Sequence, residues 1–259
     1  MELDGRVALV TGAARRVGRG IALALAGGGA HVVVHYGTSA ADAAETAAAA
    51  RGLGVDAEAM QADLTDPIRI AALFQGIQRR FGRLDVAVNS AASFVHRPFD
   101  RIGADEWDRV MAINLRAPFL CTQHAARLMG AAQRDGPPGL VVNLADLGGV
   151  HAWRGCAHHA VSKAGLLHLT RVAARELAPC VRVNAIVPGA VLPPPGMDPD
   201  GEAWLRLSTA GPLRARGTPE DVAGAVVFLA ASDFITGVAL SVDGGAHLTG
   251  PAGTQGERS

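Results

Sequence analysis

Arg6-Val7-Ala8-Leu9-Val10-Thr11-Gly12-Ala13-Ala14-Arg15-Arg16-Val17-Gly18-Arg19-Gly20, continued by Ile21-Ala22-Leu23-Ala24-Leu25-Ala26 and Gly27-Gly28-Gly29, decides the fold. Arg6 to Thr11 is a short apolar run of the kind found in strands covered on both faces. Val17 to Ala26 reads as a helix closed by the three glycines. Outward from this unit the same alternation continues. Strands are expected at His31 to His35, Val55 to Gln61, Leu84 to Asn89, Leu140 to Leu144, Val181 to Val187 and Val238 to Val242. Helices are expected at Ser39 to Arg51, Asp66 to Phe81, Asp105 to Gly130 with a break near Pro118, Ala157 to Leu177, and Pro219 to Ala231. Seven strands alternating with helices, without a long linker, predict one α/β domain over residues 1–249: a mostly parallel, doubly wound sheet with helices on both faces. Leu192 to Gly201, with Pro193-Pro194-Pro195, reads as a surface loop followed by a short helix, and residues 250–259 as a flexible tail.

Composition narrows the function. The 259 residues carry 24 Lys plus Arg and 24 Asp plus Glu, so the formal charge is zero, which argues against nucleic acid and against acidic lipid as partners. A hydrophobic fraction of 49% supplies a large core and excludes a disordered chain. Cys121, Cys156 and Cys180 are too few and too scattered for a disulfide framework, no signal peptide is visible, and no apolar run is long enough to span a bilayer. The expectation is a soluble, cytoplasmic protein acting on a small molecule. Only one of the 24 basic residues, Lys163, is Lys, and Tyr36 is the only Tyr. In a chain that otherwise uses Arg, Lys163 marks a place where a compact ammonium is wanted, or a survivor of compositional drift.

The turn after the first strand has the composition of a phosphate cradle. Gly12 and Gly18 let the backbone approach a pyrophosphate, and the helix N-terminus favours its charge. A dinucleotide site selecting NAD usually has an acid near the end of the second strand to hold the ribose 2′-hydroxyl. Val34 to Ser39 contains none, whereas Arg15 and Arg16 stand in the turn, where a guanidinium can pair with a 2′-phosphate. NADP(H) is therefore expected over NAD(H).

Further motifs follow in order: Asp63-Leu64 after the third strand, Asn89-Ser90-Ala91-Ala92 after the fourth, Asn114 in Ile113-Asn114-Leu115, Pro188-Gly189 after the sixth, and Val242-Asp243-Gly244-Gly245. With the opening turn, this series resembles the short-chain dehydrogenase/reductase family from roughly Glu2 to Leu248. The resemblance implies a Rossmann-type fold and a homotetramer. Within the family, Arg16 in place of glycine, His35-Tyr36 with Ser39, and Ser93-Phe94 look like pteridine reductases. That likeness implies that Arg16 and Ser39 hold the 2′-phosphate. It also implies that Asp63 and Leu64 border adenine, and that Arg15, Val17, Tyr36, Asn89, Ala91, Pro188, Gly189 and Val191 line the cofactor. Phe94 then stacks the substrate ring, and Ala92, Leu192 and the loop to Trp204 complete the substrate side. Ketoreductases acting on acyl carrier protein share much of the pattern and stand as the alternative.

The family's active site pairs Tyr with Lys one helical turn later, with Ser or Asp upstream and Asn on another helix. Here Lys163 is preceded by His159, Asp146 lies thirteen residues before His159, and Asn114 is in place. Spacing puts His159 and Lys163 on one helix face. An imidazole titrates near neutrality unaided, and an ammonium nearby disfavours its charged form. Three outcomes follow: His159 donates the proton; Asp146 donates it as a carboxyl whose pKa is raised by burial; or the chain binds cofactor and catalyses weakly. His151, Cys156, His158 and His159 could in principle ligate zinc, but adjacent histidines point apart on a helix, and no metal is expected.

Overall fold

The computed structural model describes residues 1–132, 136–194 and 196–249, so residues 250–259 and Pro195 lie outside the described part. Strands β1 (Val7–Val10), β2 (His31–Tyr36), β3 (Ala57–Gln61), β4 (Val86–Asn89), β5 (Gly139–Leu144), β6 (Val181–Pro188) and β7 (Ala239–Val242) form one sheet ordered β3-β2-β1-β4-β5-β6-β7. Each pairing is parallel. Side chains alternate across it: Ala8 and Val10 enter a core with Ile21, Leu25, Val226 and Leu229, while Val7 and Leu9 enter another with Ile70, Phe74, Cys121 and Met129. Two buried faces explain why β1 reads as an unbroken apolar run.

Helices α1 (Arg16–Gly27), α2 (Ala40–Arg51) and α8 (Pro219–Ala231) cover the first face. Helices α3 (Pro67–Phe81), α5 (Ala117–Ala132) and α6 (Ala157–Leu177) cover the second, with α4 (Ala104–Met111) against α6. Helix α7 (Glu202–Ser208) follows the proline-rich loop, as expected. The long helix around Pro118 is interrupted earlier than the sequence reading placed it. A π-helical turn, Ala112–Arg116, separates α4 from α5, and Ala117 N–H reaches Ala112 O. Pro118 has no N–H, and its ring opposes the carbonyl four residues before it, that of Asn114, so the distortion falls on Asn114.

Because β1 lies between β2 and β4, the strand order reverses there, and a crevice opens beyond the carboxyl ends of β1 and β4. Gly12 closes its floor at φ +66°, and a Cβ on it would stand 3.0 Å from Ala91 Cα. No helix among the described residues is long and apolar enough to cross a membrane.

Candidate active site

Hydrogen bonds of Thr11 and His35 build the Gly12 side of the crevice. Thr11 Oγ1 accepts hydrogen bonds from Ser90 N at 2.9 Å and Ala91 N at 3.1 Å, tying the end of β1 to the segment after β4. Gly12 N donates to His35 Nδ1 at 3.1 Å, and the other ring nitrogen of His35 lies 3.1 Å from Ala62 O. Burial pushes His35 down to about 4, against the pull of the Ala62 carbonyl, so the imidazole is neutral, with its proton on Nε2. It thereby links the phosphate turn to the segment leading to Asp63. A Cβ on Gly18 would lie 2.4 Å from Gly12 O, so only glycine fits this packing. The first turn of α1 has no acidic residue, and its N-cap Arg15 makes no side-chain cap. Closely packed glycines and uncapped leading amides suit a pyrophosphate.

Several expected cofactor residues are engaged in other ways. Arg16, expected with Ser39 at the 2′-phosphate, donates from Nη2 to Pro193 O at 2.8 Å. Its φ of +57° sends the side chain off in a direction that a right-handed first turn does not offer. Ser39 is half-buried at the N-cap of α2 and makes no side-chain cap. Asp63 Oδ1 accepts from the Thr65 amide and hydroxyl, both at 2.8 Å, which holds the carboxylate below its ordinary range. Asn89 does not present its side chain to the crevice. It donates to Asn143 Oδ1 at 2.8 Å, while Asn143 donates to Thr170 Oγ1 at 2.9 Å, a buried lock between β4, β5 and α6. Leu64 is buried, and Tyr36 and Val191 are half-buried. Gly189 leaves no room for a Cβ beside Asp243, 2.8 Å from its Cα, and follows Pro188 at the end of β6.

The reactive groups meet at the other end of the crevice. Asp146 caps a turn of 3-10 helix, Leu147–Gly149, through Oδ1 and Gly148 N at 2.9 Å. Its Oδ2 lies 2.7 Å from His159 Nε2. His159 Nδ1 lies 3.2 Å from Ser93 O and 3.3 Å from Asn114 Nδ2. Asn114 already donates to Ser93 O at 2.9 Å and Ser162 Oγ at 3.1 Å, and accepts from Ser93 N at 2.7 Å. Both its amide hydrogens are committed, so the nearer polar partner of His159 Nδ1 is the Ser93 carbonyl. Asn114 therefore orients His159 through Ser93.

Lys163 is buried and donates from Nζ to Leu144 O at 2.6 Å. Burial pushes its pKa down, and the Asp146 charge partly restores it. Burial by itself would raise Asp146, but the His159 hydrogen bond and the charges of Lys163 and His159 prevail, and its pKa falls below the ordinary value. Asp146 is therefore held toward its charged form, against the expectation of a carboxyl whose pKa is raised by burial.

Aromatic rings border the pair. Phe94, 52% exposed, stands edge-on to His159 with centroids 4.8 Å apart, and Trp153 lies parallel to it at 6.4 Å. Ala92 is exposed, Leu192 half-buried and Trp204 buried. The candidate zinc residues diverge: His158 approaches Glu106, His159 meets Asp146, and Cys156 Sγ lies 3.8 Å from Arg154 O. The sequence reading named Ser93 only beside Phe94 and passed over Ser162, Trp153, Arg97 and Glu106. Those four belong to no motif, and charge alone marks Arg97 and Glu106, the latter in the first turn of α4 beside Asp105.

A family model described as Enoyl-(Acyl carrier protein) reductase matches residues 12–247. A 3-oxoacyl-[acyl-carrier-protein] reductase FabG of Staphylococcus aureus is 36% identical over 244 residues, covering 93% of this chain and 98% of the relative. Solved structures share the fold at over 30% identity, two of them with a nicotinamide cofactor bound. The angucycline C-6 ketoreductase LanV with bound NADP has a TM-score of 0.86 at 31% identity, covering 95% of this chain and 97% of that one. A blue fluorescent protein from a metagenomic library, in complex with NADPH, has a TM-score of 0.85 at 33% identity, covering 95% and 99%. The chain thus belongs to the short-chain dehydrogenase/reductase family of oxidoreductases.

Proposed function

We propose that this protein is an NADPH-dependent reductase of a small carbonyl compound, in which the His159–Asp146 pair supplies the proton. The 2.7 Å contact of Nε2 with Asp146, made while Nδ1 is held on Ser93 O, carries this reading. Gly12, Gly18 and the N-terminus of α1 would hold the pyrophosphate, Arg15 and Ser39 the 2′-phosphate, Asp63 and Leu64 the adenine, and Lys163, Pro188, Gly189 and Val191 the nicotinamide end. NADPH held by these residues would supply the hydride for the carbonyl carbon. The carbonyl oxygen would take up the proton shared between His159 Nε2 and Asp146 Oδ2, and with the hydride on its carbon the carbonyl would become an alcohol. Asp146, held toward its charged form, would keep the His159 ring oriented and favour return of a proton to the shared position between transfers.

The ketoreductases among the relatives support C=O reduction over the pteridine-like first expectation. A C=N substrate with a flat ring is the second reading, and it rests on the half-exposed Phe94 beside His159. Exposed Phe119, Val161 and Val172 on α5 and α6, with Phe228 on α8 and Phe234 beyond it, support assembly into a homotetramer. The free thiols Cys121, Cys156 and Cys180 suit a reducing, cytoplasmic compartment.

NADPH oxidation with an acetoacetyl thioester, followed from about pH 5 to 8 for the wild type, Asp146→Ala and His159→Tyr, tests the reading. Turnover in the wild type that collapses in Asp146→Ala is expected. Turnover seen only in His159→Tyr would mean a cofactor-binding protein without its acid, and absence of NADPH binding would end the proposal.

A further inference from the structure

The two loops that carry the aromatic walls are fastened to each other by a cluster outside the reacting groups. Arg97 N donates to Gly155 O at 2.6 Å, which joins the loop of Phe94 to the loop of Trp153. The Arg97 guanidinium forks onto Glu106 of α4, with Nη2 at 2.9 Å from Oε2 and Nε at 3.2 Å from Oε1. Glu106 Oε1 also lies 3.3 Å from Nε2 of His158, a close polar contact without hydrogen-bond alignment. The His158 side chain has no exposed surface, and it precedes His159 on α6. Gly155, at φ +73°, brings the loops so close that a Cβ there would stand 2.4 Å from His96 Nε2. One carboxylate on α4 therefore holds the Phe94 loop by Arg97 and the catalytic helix by His158.

We infer that Glu106 is a positioning residue that fixes the substrate slot, and that the slot so fixed takes a flat ring ketone rather than a flexible acyl chain. The inference rests on the reductase reading above. The observations behind the ring preference are geometric. Phe94 presents a half-exposed ring edge-on to His159, and Trp153 lies parallel to the same imidazole, so apolar flat surfaces meet in a corner at the proton donor. Aromatic walls favour a planar partner through stacked and edge-to-face contacts. Rigid walls matter most for a rigid substrate, which cannot bend to follow a displaced ring, whereas an acyl chain adjusts by bond rotation.

The test compares 1-tetralone, a bicyclic ring ketone, with an acetoacetyl thioester in the wild type, Glu106→Gln and Arg97→Ala. The wild type is expected to use the ring ketone with the higher kcat/KM. Both variants should raise the KM for the ring ketone about tenfold, leave that for the thioester within about twofold, and leave the Kd for NADPH unchanged. A general loss of structure would move all three together, so the split between substrates is the informative readout. Binding of the ring ketone to the NADP⁺ complex, followed by tryptophan fluorescence, gives the same comparison without turnover. Preference of the wild type for the thioester, or an unchanged ring-ketone KM and affinity in both variants, would overturn the inference. If NADPH binds and the fluorescence split appears without turnover, the slot stands and the reductase reading fails.

Discussion

Acidification should weaken the fold through one buried imidazole. His35 is 2% exposed, accepts the Gly12 amide on Nδ1 and donates to Ala62 O. A second proton on its ring would set a donor against the Gly12 N–H, and burial penalises the charge, so the pKa falls from 6.5 to about 4. The unfolded chain takes up the proton as the pH drops through 6.5, while the folded chain resists until about 4. Stability is therefore complete above pH 6.5 and is lost on the way down to 4. At about 1.4 kcal/mol for each pKa unit, His35 alone removes about 3 kcal/mol across this window. Guanidinium chloride unfolding of the wild type and His35→Gln at steps between pH 7 and 4 measures it. Gln cannot titrate but can still accept and donate. Carboxylates held low in the fold, such as Asp63 and Asp146, titrate in both proteins and cancel in the difference. The wild type should lose about 3 kcal/mol more than the variant. Equal losses would refute the argument that the phosphate turn depends on a neutral His35.

Gly12→Ala should lower stability by about 2 to 4 kcal/mol, because the residue sits at φ +66° and the new methyl would meet Ala91 Cα at 3.0 Å; thermal unfolding and NADPH titration would both record it. Arg16→Gly should relieve the left-handed backbone and free Pro193 while leaving the ratio of NADPH to NADH affinity unchanged. Arg15→Ala should reduce that ratio about tenfold or more in the same titrations, as expected for loss of a charge-assisted phosphate contact. Asp146→Asn should keep a hydrogen-bonding neighbour for His159 but remove its charge, and kcat for carbonyl reduction at neutral pH should fall about 100-fold, with NADPH affinity retained.

The amino-acid sequence by itself determined the frame. Continuous apolar runs such as Val7 to Val10 are strands because both faces of a parallel sheet are covered, and that pattern is local. Gly12 and Gly18 mark the cradle because only glycine fits the packing there, and the four-residue spacing of His159 and Lys163 puts them on one helix face. Tertiary structure decided what these residues meet. Arg16 and Pro193 are 177 residues apart, Asn114 and His159 are 45 apart, and Asp146 and His159 lie in different elements. Such encounters follow from strand order and loop packing, which no short window of sequence contains. The charge state of Asp146 was equally out of reach, because burial pushes it one way and His159 with Lys163 pushes it the other. Which of them prevails depends on distances that exist only once the chain has closed around them.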